Sequence, residues 1–246
     1  MNETELNAIV DQVVRRIAKE IQGPSTVRSA PTAAIHTKRR GLFDDLDPAT
    51  SAAQTAQHQW MKLSVEVRAT VIEAMRECTR RNVQQLAEMA VAETGLGNVA
   101  DKIKKNLLCA NQTPGLEILR PQAFSGDHGM MLMERAPFGV IGAITPSTNA
   151  TETIINNGIS MVAGGNAALF NVHPSAKKVC GFFVEALNDA IVGAGGPANL
   201  ISMMAEPSIE SAQALMKHPA VRLLVVTGGP AVVKAAMNSG KRTIAA

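Results

Sequence analysis

Hydrophobic positions recur along the chain at helical spacing first and in short unbroken runs later. Leu6, Ile9, Val10, Val13, Val14, Ile17 and Ile21 fall at three- and four-residue steps, with Glu3, Glu5, Asp11, Arg15, Arg16, Lys19 and Glu20 opposite. This predicts an amphipathic helix over residues 1–22. Residues 23–41, GPSTVRSAPTAAIHTKRRG, carry almost no large apolar side chains and read as a flexible linker. Helical periods return over 48–61, 64–92 and 99–111, and Val67, Val71, Met75, Cys78, Leu86 and Met89 track one face of the second. Residues 114–127 show no period and are expected to be irregular, whereas 130–135 alternate as an edge strand or hairpin would.

Beyond Pro137 the pattern changes. Phe138–Ile144 is a short run, apolar on both faces and bounded by Pro137 and Pro146, which reads as a buried parallel strand. A polar tip, Pro146–Asn149, leads into a helix striped by Ile154, Ile155, Ile159 and Val162, which Gly164 and Gly165 stop. A second strand, 167–172, ends at His173-Pro174. The alternation continues through a helix at 175–192 capped by Ser175, a strand at 200–205 and a helix at 208–217. A strand at 223–227, a helix at 231–237 and a strand starting at Arg242 complete it. The implied fold is α/β, an open, mostly parallel sheet with helices on both faces, preceded by helical segments. The implied domains are the helix 1–22, the linker 23–41 and a body over 42–246.

Composition narrows the functions. Of the 246 residues, 46% are hydrophobic and 18% charged, as in a globular protein, and no run is long enough to span a membrane. Aromatic residues are 3% and the net charge is +3, which argues against a nucleic-acid partner. Cys78, Cys109 and Cys180 form no CxxC pair and fall in helical stretches, so they read as packing residues in a reducing cytoplasm. The histidines show no metal spacing, so no metal site is expected.

Ligands of such sheets sit beyond the carboxyl ends of the strands, which directs attention to residues 145–149 and 173–174. Thr227-Gly228-Gly229-Pro230 runs from strand to helix start and offers either an anion seat at a helix N-terminus or an ordinary turn. Asn149 is either a donor to a developing oxyanion or a helix N-cap, and the residues alone favour the cap. His173 either reaches a ribose or adenine edge or is a loop histidine. Residues 95–100, GLGNVA, match G-x-G-x-x-A but follow a helix, so a helix–helix turn is expected there in preference to a phosphate loop. No nucleophile is legible.

The segments PFGVIGAITPSTNATETIINN, NAALFNVHPSAKK, LLVVTGGPAVVKAA and ETGLGNVADKIKKN closely resemble the coenzyme-A-acylating aldehyde dehydrogenases of bacterial microcompartments. The resemblance covers essentially the whole chain, and FGVIG and TETIINN lean towards the propionaldehyde type over the acetaldehyde type. It implies the NAD-binding domain of the aldehyde dehydrogenase fold. Thr145, Pro146, Ser147 and Thr148 would lie near the nicotinamide half of NAD, His173 and Pro174 near the adenosine ribose, and Gly228 and Gly229 at the pyrophosphate. Asn149 would be the oxyanion donor. The reaction would oxidise a short-chain aldehyde to acyl-CoA through a cysteine thioester, with coenzyme A as co-substrate. The helix 1–22 would be an encapsulation peptide laying its apolar stripe in a groove of a shell protein, within a microcompartment lumen of the bacterial cytoplasm. Full-length members are homo-oligomers.

In that family the nucleophilic cysteine lies in a second domain, and none of the three cysteines here takes its place. The sequence stops at the start of a strand. The expectation is therefore a fragment, incomplete at its C-terminal end and inactive alone. The competing expectations are a non-catalytic NAD-binding or assembly module, and a chain too incomplete to fold, with an exposed sheet edge.

Overall fold

The structure, a computed structural model, describes residues 40–246. The helix expected at 1–22 and all of the linker but its last two residues lie outside them. A short strand β1 (Leu42–Phe43) precedes helices α1 (Leu46–Trp60), α2 (Val65–Thr94) and α3 (Val99–Gln112). A hairpin of β2 (Gln122–Gly126) and β3 (Gly129–Met133) follows. Then come β4 (Val140–Ile144), α4 (Ala150–Ala163), β5 (Ala167–Asn171), α5 (Lys177–Gly193) and β6 (Ile201–Met204). The chain finishes with α6 (Ile209–Lys217), β7 (Val221–Val226), α7 (Pro230–Met237) and β8 (Arg242–Ala245).

Six strands form one sheet in the order β1-β6-β5-β4-β7-β8, every pair parallel. The predicted sheet was mostly parallel; this one is wholly so. From β4 the chain steps outward through β5 and β6, then returns past β4 to β7. The direction of winding therefore reverses between β4 and β7, and a crevice opens there at the strands' carboxyl ends. Helices α4 and α5 pack under α2, while α1 crosses β4, β5 and β6 and meets α6. All five residues of β4 and of β5 are buried, as strands covered by helices on both faces must be.

Local chemistry explains the helix ends. Ser64 Oγ accepts the Val67 N–H to start α2, and Gly95, left-handed at φ 68°, ends it. Asn98 then caps α3 by accepting the Asp101 N–H at 2.9 Å. GLGNVA is thus the helix–helix turn its context implied. Trp60, fully buried, donates its indole N–H to the Val162 carbonyl at 2.9 Å and ties α1 to the end of α4.

Two expectations are corrected. Residues 114–127 are not irregular throughout, because 122–126 pair with β3. Both hairpin strands are exposed along their whole length, so no buried face imprints an alternation on QAFSG. Ser175 does not cap α5. It lies in a 3-10 turn, Pro174–Ala176, and α5 begins at Lys177. The cap comes from far away in sequence: the Glu93 carboxylate accepts the Lys178 and Val179 N–H groups, each at 2.8 Å.

Candidate functional site

A cavity of about 660 Å³ opens at the carboxyl edge of the sheet, over the reversal between β4 and β7. Its walls come from three strand ends. The tip after β4 contributes Thr145, Pro146, Ser147, Thr148 and Asn149. The turn after β5 contributes His173 and Pro174, and the turn after β7 contributes Gly228 and Gly229. All nine residues singled out from sequence line this one space. Its volume lies in the range of small-molecule and cofactor sites.

Each wall has a local cause. Thr145 is 2% exposed and its hydroxyl oxygen has no hydrogen-bond partner. A buried hydroxyl left unpaired costs about 1–3 kcal/mol, and a ligand group entering here would relieve it. Asn171, at the end of β5, donates to the Ser208 carbonyl at 3.3 Å and accepts from Ser211 Oγ at 2.6 Å. That draws the start of α6 to the cavity. His173 accepts the Ser175 N–H on Nδ1 at 3.2 Å. Its ring proton then sits on Nε2, a donor for whatever occupies the site.

The two glycines differ. A Cβ on Gly228 would meet Val232 Cγ1 at 2.7 Å, so that position is set by packing against α7. A Cβ on Gly229 would meet no protein atom within 4 Å. Gly229 therefore keeps open the approach to the first turn of α7. No side chain caps that helix, and it opens with Pro230, which has no N–H to satisfy. The remaining first-turn N–H groups and the helix dipole make a seat for an anion.

Asn149 occupies the N-cap position of α4 without capping it through its side chain. The cap reading favoured by the residues alone is corrected to that extent. The side chain instead accepts from Lys105 Nζ at 3.2 Å through Oδ1. One turn away on α3, Lys102 Nζ donates to the Thr148 carbonyl at 2.9 Å and lies 3.7 Å from Glu152 Oε1. Lys102 and Glu152 are 2% and 4% exposed, and Glu152 Oε1 has no hydrogen-bond partner. An ion pair of this kind is invisible to a reading based on polarity, which places charges at the surface.

A second cleft of about 370 Å³ lies on the other side of Asn149, lined by Cys109, Glu152, Thr153, Asn156 and Asn157 among others, and it shares Thr227 with the first. Cys109 is the cysteine nearest the site in this sense. Burial, with the Glu152 charge, raises its thiol above the ordinary range. Burial pushes Cys78 up to about 11 and Cys180 further still. None is activated as a thiolate. Sequence reasoning missed Ser208, Ile209, Ala212 and Val232, which close the far end of the large cavity. The capping serine of α6 is the one signal that pointed there.

Residues 23–246 match the family described as the aldehyde dehydrogenase family. The acetaldehyde dehydrogenase (acetylating) EutE of Escherichia coli is 49% identical over 238 residues, covering 96% of this chain and 49% of that protein. Propionaldehyde dehydrogenase from Rhodopseudomonas palustris, solved with bound CoA and an acylated cysteine, superposes with a TM-score of 0.82 at 46% identity. That match covers 84% of this chain and 47% of the other. The propionaldehyde dehydrogenase of the Clostridium phytofermentans fucose utilisation bacterial microcompartment gives 0.81 at 48% identity, covering 83% and 47%. The chain spans about half the length of the relatives it matches.

Proposed function

Since the chain belongs to the aldehyde dehydrogenase family, we propose that it supplies the cofactor seat for oxidation of a short-chain aldehyde, acetaldehyde or propionaldehyde, to acyl-CoA. One observation carries the reading: three loops separated in sequence converge on a single cavity at the sheet reversal, bringing polar, glycine and helix-start chemistry together. The residues fit NAD. The start of α7 beside Gly229 suits a pyrophosphate, His173 Nε2 a ribose hydroxyl, and the unpaired Thr145 hydroxyl the nicotinamide end. When bound, NAD accepts the hydride that the aldehyde carbon gives up.

Asn149 is the oxyanion donor in this scheme. Addition of a thiolate to the aldehyde carbonyl leaves a negative charge on oxygen, and an amide N–H held in place favours that charge over the neutral carbonyl. Loss of hydride then converts the adduct to a thioester, which the coenzyme A thiol cleaves. In this scheme the nucleophilic thiol is not one of these three cysteines: Cys78 and Cys180 are buried, and burial with the Glu152 charge raises the Cys109 thiol. Titration of the purified chain with NAD should give saturable binding that is lost on closing the cavity. Mixing the chain with aldehyde, CoA and NAD should form no NADH, and robust turnover would refute the division of labour.

The microcompartment assignment rests on the apolar stripe of residues 1–22, outside the described residues, and on the microcompartment source of one relative. Residues 1–22 serve as the docking helix for a shell protein, and the lumen as the place of action. Fusing them to a fluorescent protein should direct it into microcompartments, while their deletion should leave NAD affinity intact. Diffuse fluorescence would remove this part of the reading. The rest of the whole-protein scheme, including homo-oligomerisation, follows the family. Among the described residues no helix is long and apolar enough to cross a membrane.

A further inference from the structure

Two lysines on one face of α3, three residues apart, grip consecutive residues at the tip after β4. Lys102 Nζ donates to the Thr148 carbonyl at 2.9 Å, and Lys105 Nζ donates to Asn149 Oδ1 at 3.2 Å. The first is anchored: Lys102 is 2% exposed and faces the buried Glu152 at 3.7 Å. The second is exposed and free of that constraint. An ammonium has three donors and no acceptor, so the atom of the Asn149 amide that faces Lys105 has to be the oxygen. The nitrogen is then turned away from α3.

This settles which half of the amide is available for chemistry. Were the helix-cap reading correct, Oδ1 would point to the backbone N–H groups at the start of α4 and neither amide orientation would be specified from α3. Instead Asn149 makes no side-chain cap. A positive charge on Oδ1 also draws electron density from the amide and strengthens the Nδ2–H groups as donors.

We propose that Lys105 is a positioning residue that orients and polarises the Asn149 amide so that its N–H groups face the reacting oxygen, with Lys102 fixing the height of the loop. The proposal rests on the oxyanion-donor reading of Asn149 given above. It requires no contact between either lysine and substrate, and it adds to the family resemblance a pair of residues outside the loops that line the cofactor cavity.

The test is made on the full 246-residue chain with asparagine labelled selectively with 15N. Each side-chain amide gives a pair of proton signals, and Asn149→Asp identifies the pair from Asn149. In the unaltered chain that pair should be well separated and slow to exchange with water. Lys105→Met should collapse the separation towards that of free asparagine and speed exchange by about tenfold or more, as expected for loss of a charge-assisted hydrogen bond. Lys105→Arg should retain the signals. Lys104→Met, at an exposed lysine paired with Asp101, should leave them unmoved. If Lys105→Met, still melting cooperatively, leaves the Asn149 pair as in the unaltered chain, the proposal is overturned. Adding NAD to the same samples separates the two readings. If NAD shifts the backbone signal of neither Asn149 nor Asn171, both of which line the cavity, while Lys105→Met still releases the amide, the cofactor reading fails and the positioning role stands.

Discussion

Replacing Lys102 by Met leaves the Glu152 carboxylate, 4% exposed, without its counter-charge. At 3.7 Å and an effective dielectric of ~20, the Coulomb attraction lost is about 4 kcal/mol. The hydrogen bond to the Thr148 carbonyl goes as well. Breaking one side of a buried pair typically costs about 3–5 kcal/mol, in agreement with the Coulomb figure. For a unit of this size, each kcal/mol lowers the melting temperature by about 2–4 °C, so Lys102→Met should melt about 6–20 °C lower. Exchanging both partners, Lys102→Met with Glu152→Leu, removes the stranded charge and should recover most of that loss, because an apolar pair of similar volume replaces an ion pair at little net cost. Calorimetry or urea titration of the two single variants and the double variant closes the cycle. Strict additivity of the two single effects, or a loss below about 1 kcal/mol for Lys102→Met, would refute the reasoning that the two charges hold each other in the interior.

The remaining expectations are read with similar tools. Gly229→Val should fold normally, since its Cβ meets no neighbour, yet weaken NAD binding about tenfold or more in a calorimetric titration by blocking the helix start; Gly228→Ala should instead cost about 1–3 kcal/mol of stability against Val232. Thr145→Val removes a buried hydroxyl that has no partner, so stability should hold or rise by about 1 kcal/mol while NAD affinity falls; a marked loss of stability would mean the hydroxyl is satisfied within the protein. The Cys78 thiol, raised from 9.0 to about 11 by burial, keeps its proton in the folded chain at pH values where the unfolded chain loses it. Stability should therefore decline as pH rises from 9 towards 11, a slope that Cys78→Ala should reduce in pH-dependent urea melts.

The strands and helices of the sheet region were legible because burial on both faces writes itself as short apolar runs, and a single buried face as a helical stripe. Val140–Ile144 and the stripe through Ile154, Ile155 and Ile159 are direct imprints of that kind, whereas Phe138, expected in the same strand, precedes it and is exposed. Ser64, Asn98 and Ser208 each accept a first-turn backbone N–H on the side chain and so fix where their helices start. What stayed hidden depends on residues far apart in sequence. Glu93 caps a helix 85 residues away, and nothing near Lys178 records it. Lys102 and Glu152 look like surface charges until the fold buries them together. β2 was missed because it has no buried face to show. The candidate site divides in the same way. The residues at 145–149, 173–174 and 228–229 stand out because strand ends in a parallel sheet share one edge. Ile209, Ala212 and Val232 do not, because a helix residue facing a cavity carries the same apolar character as one facing a core.

The Glu93 contact has a bearing on how this protein can be dissected. A mononucleotide-binding unit is often imagined as a portable cassette that begins at its first strand, here near Pro137. Cutting there would strip the backbone amides at the start of α5 of their carboxylate and bare the flanks of α4 and α5 that α2 covers. The helices before the sheet are thus part of the same cooperative whole, and any minimal version of the cassette has to retain them or rebuild the surface they shield.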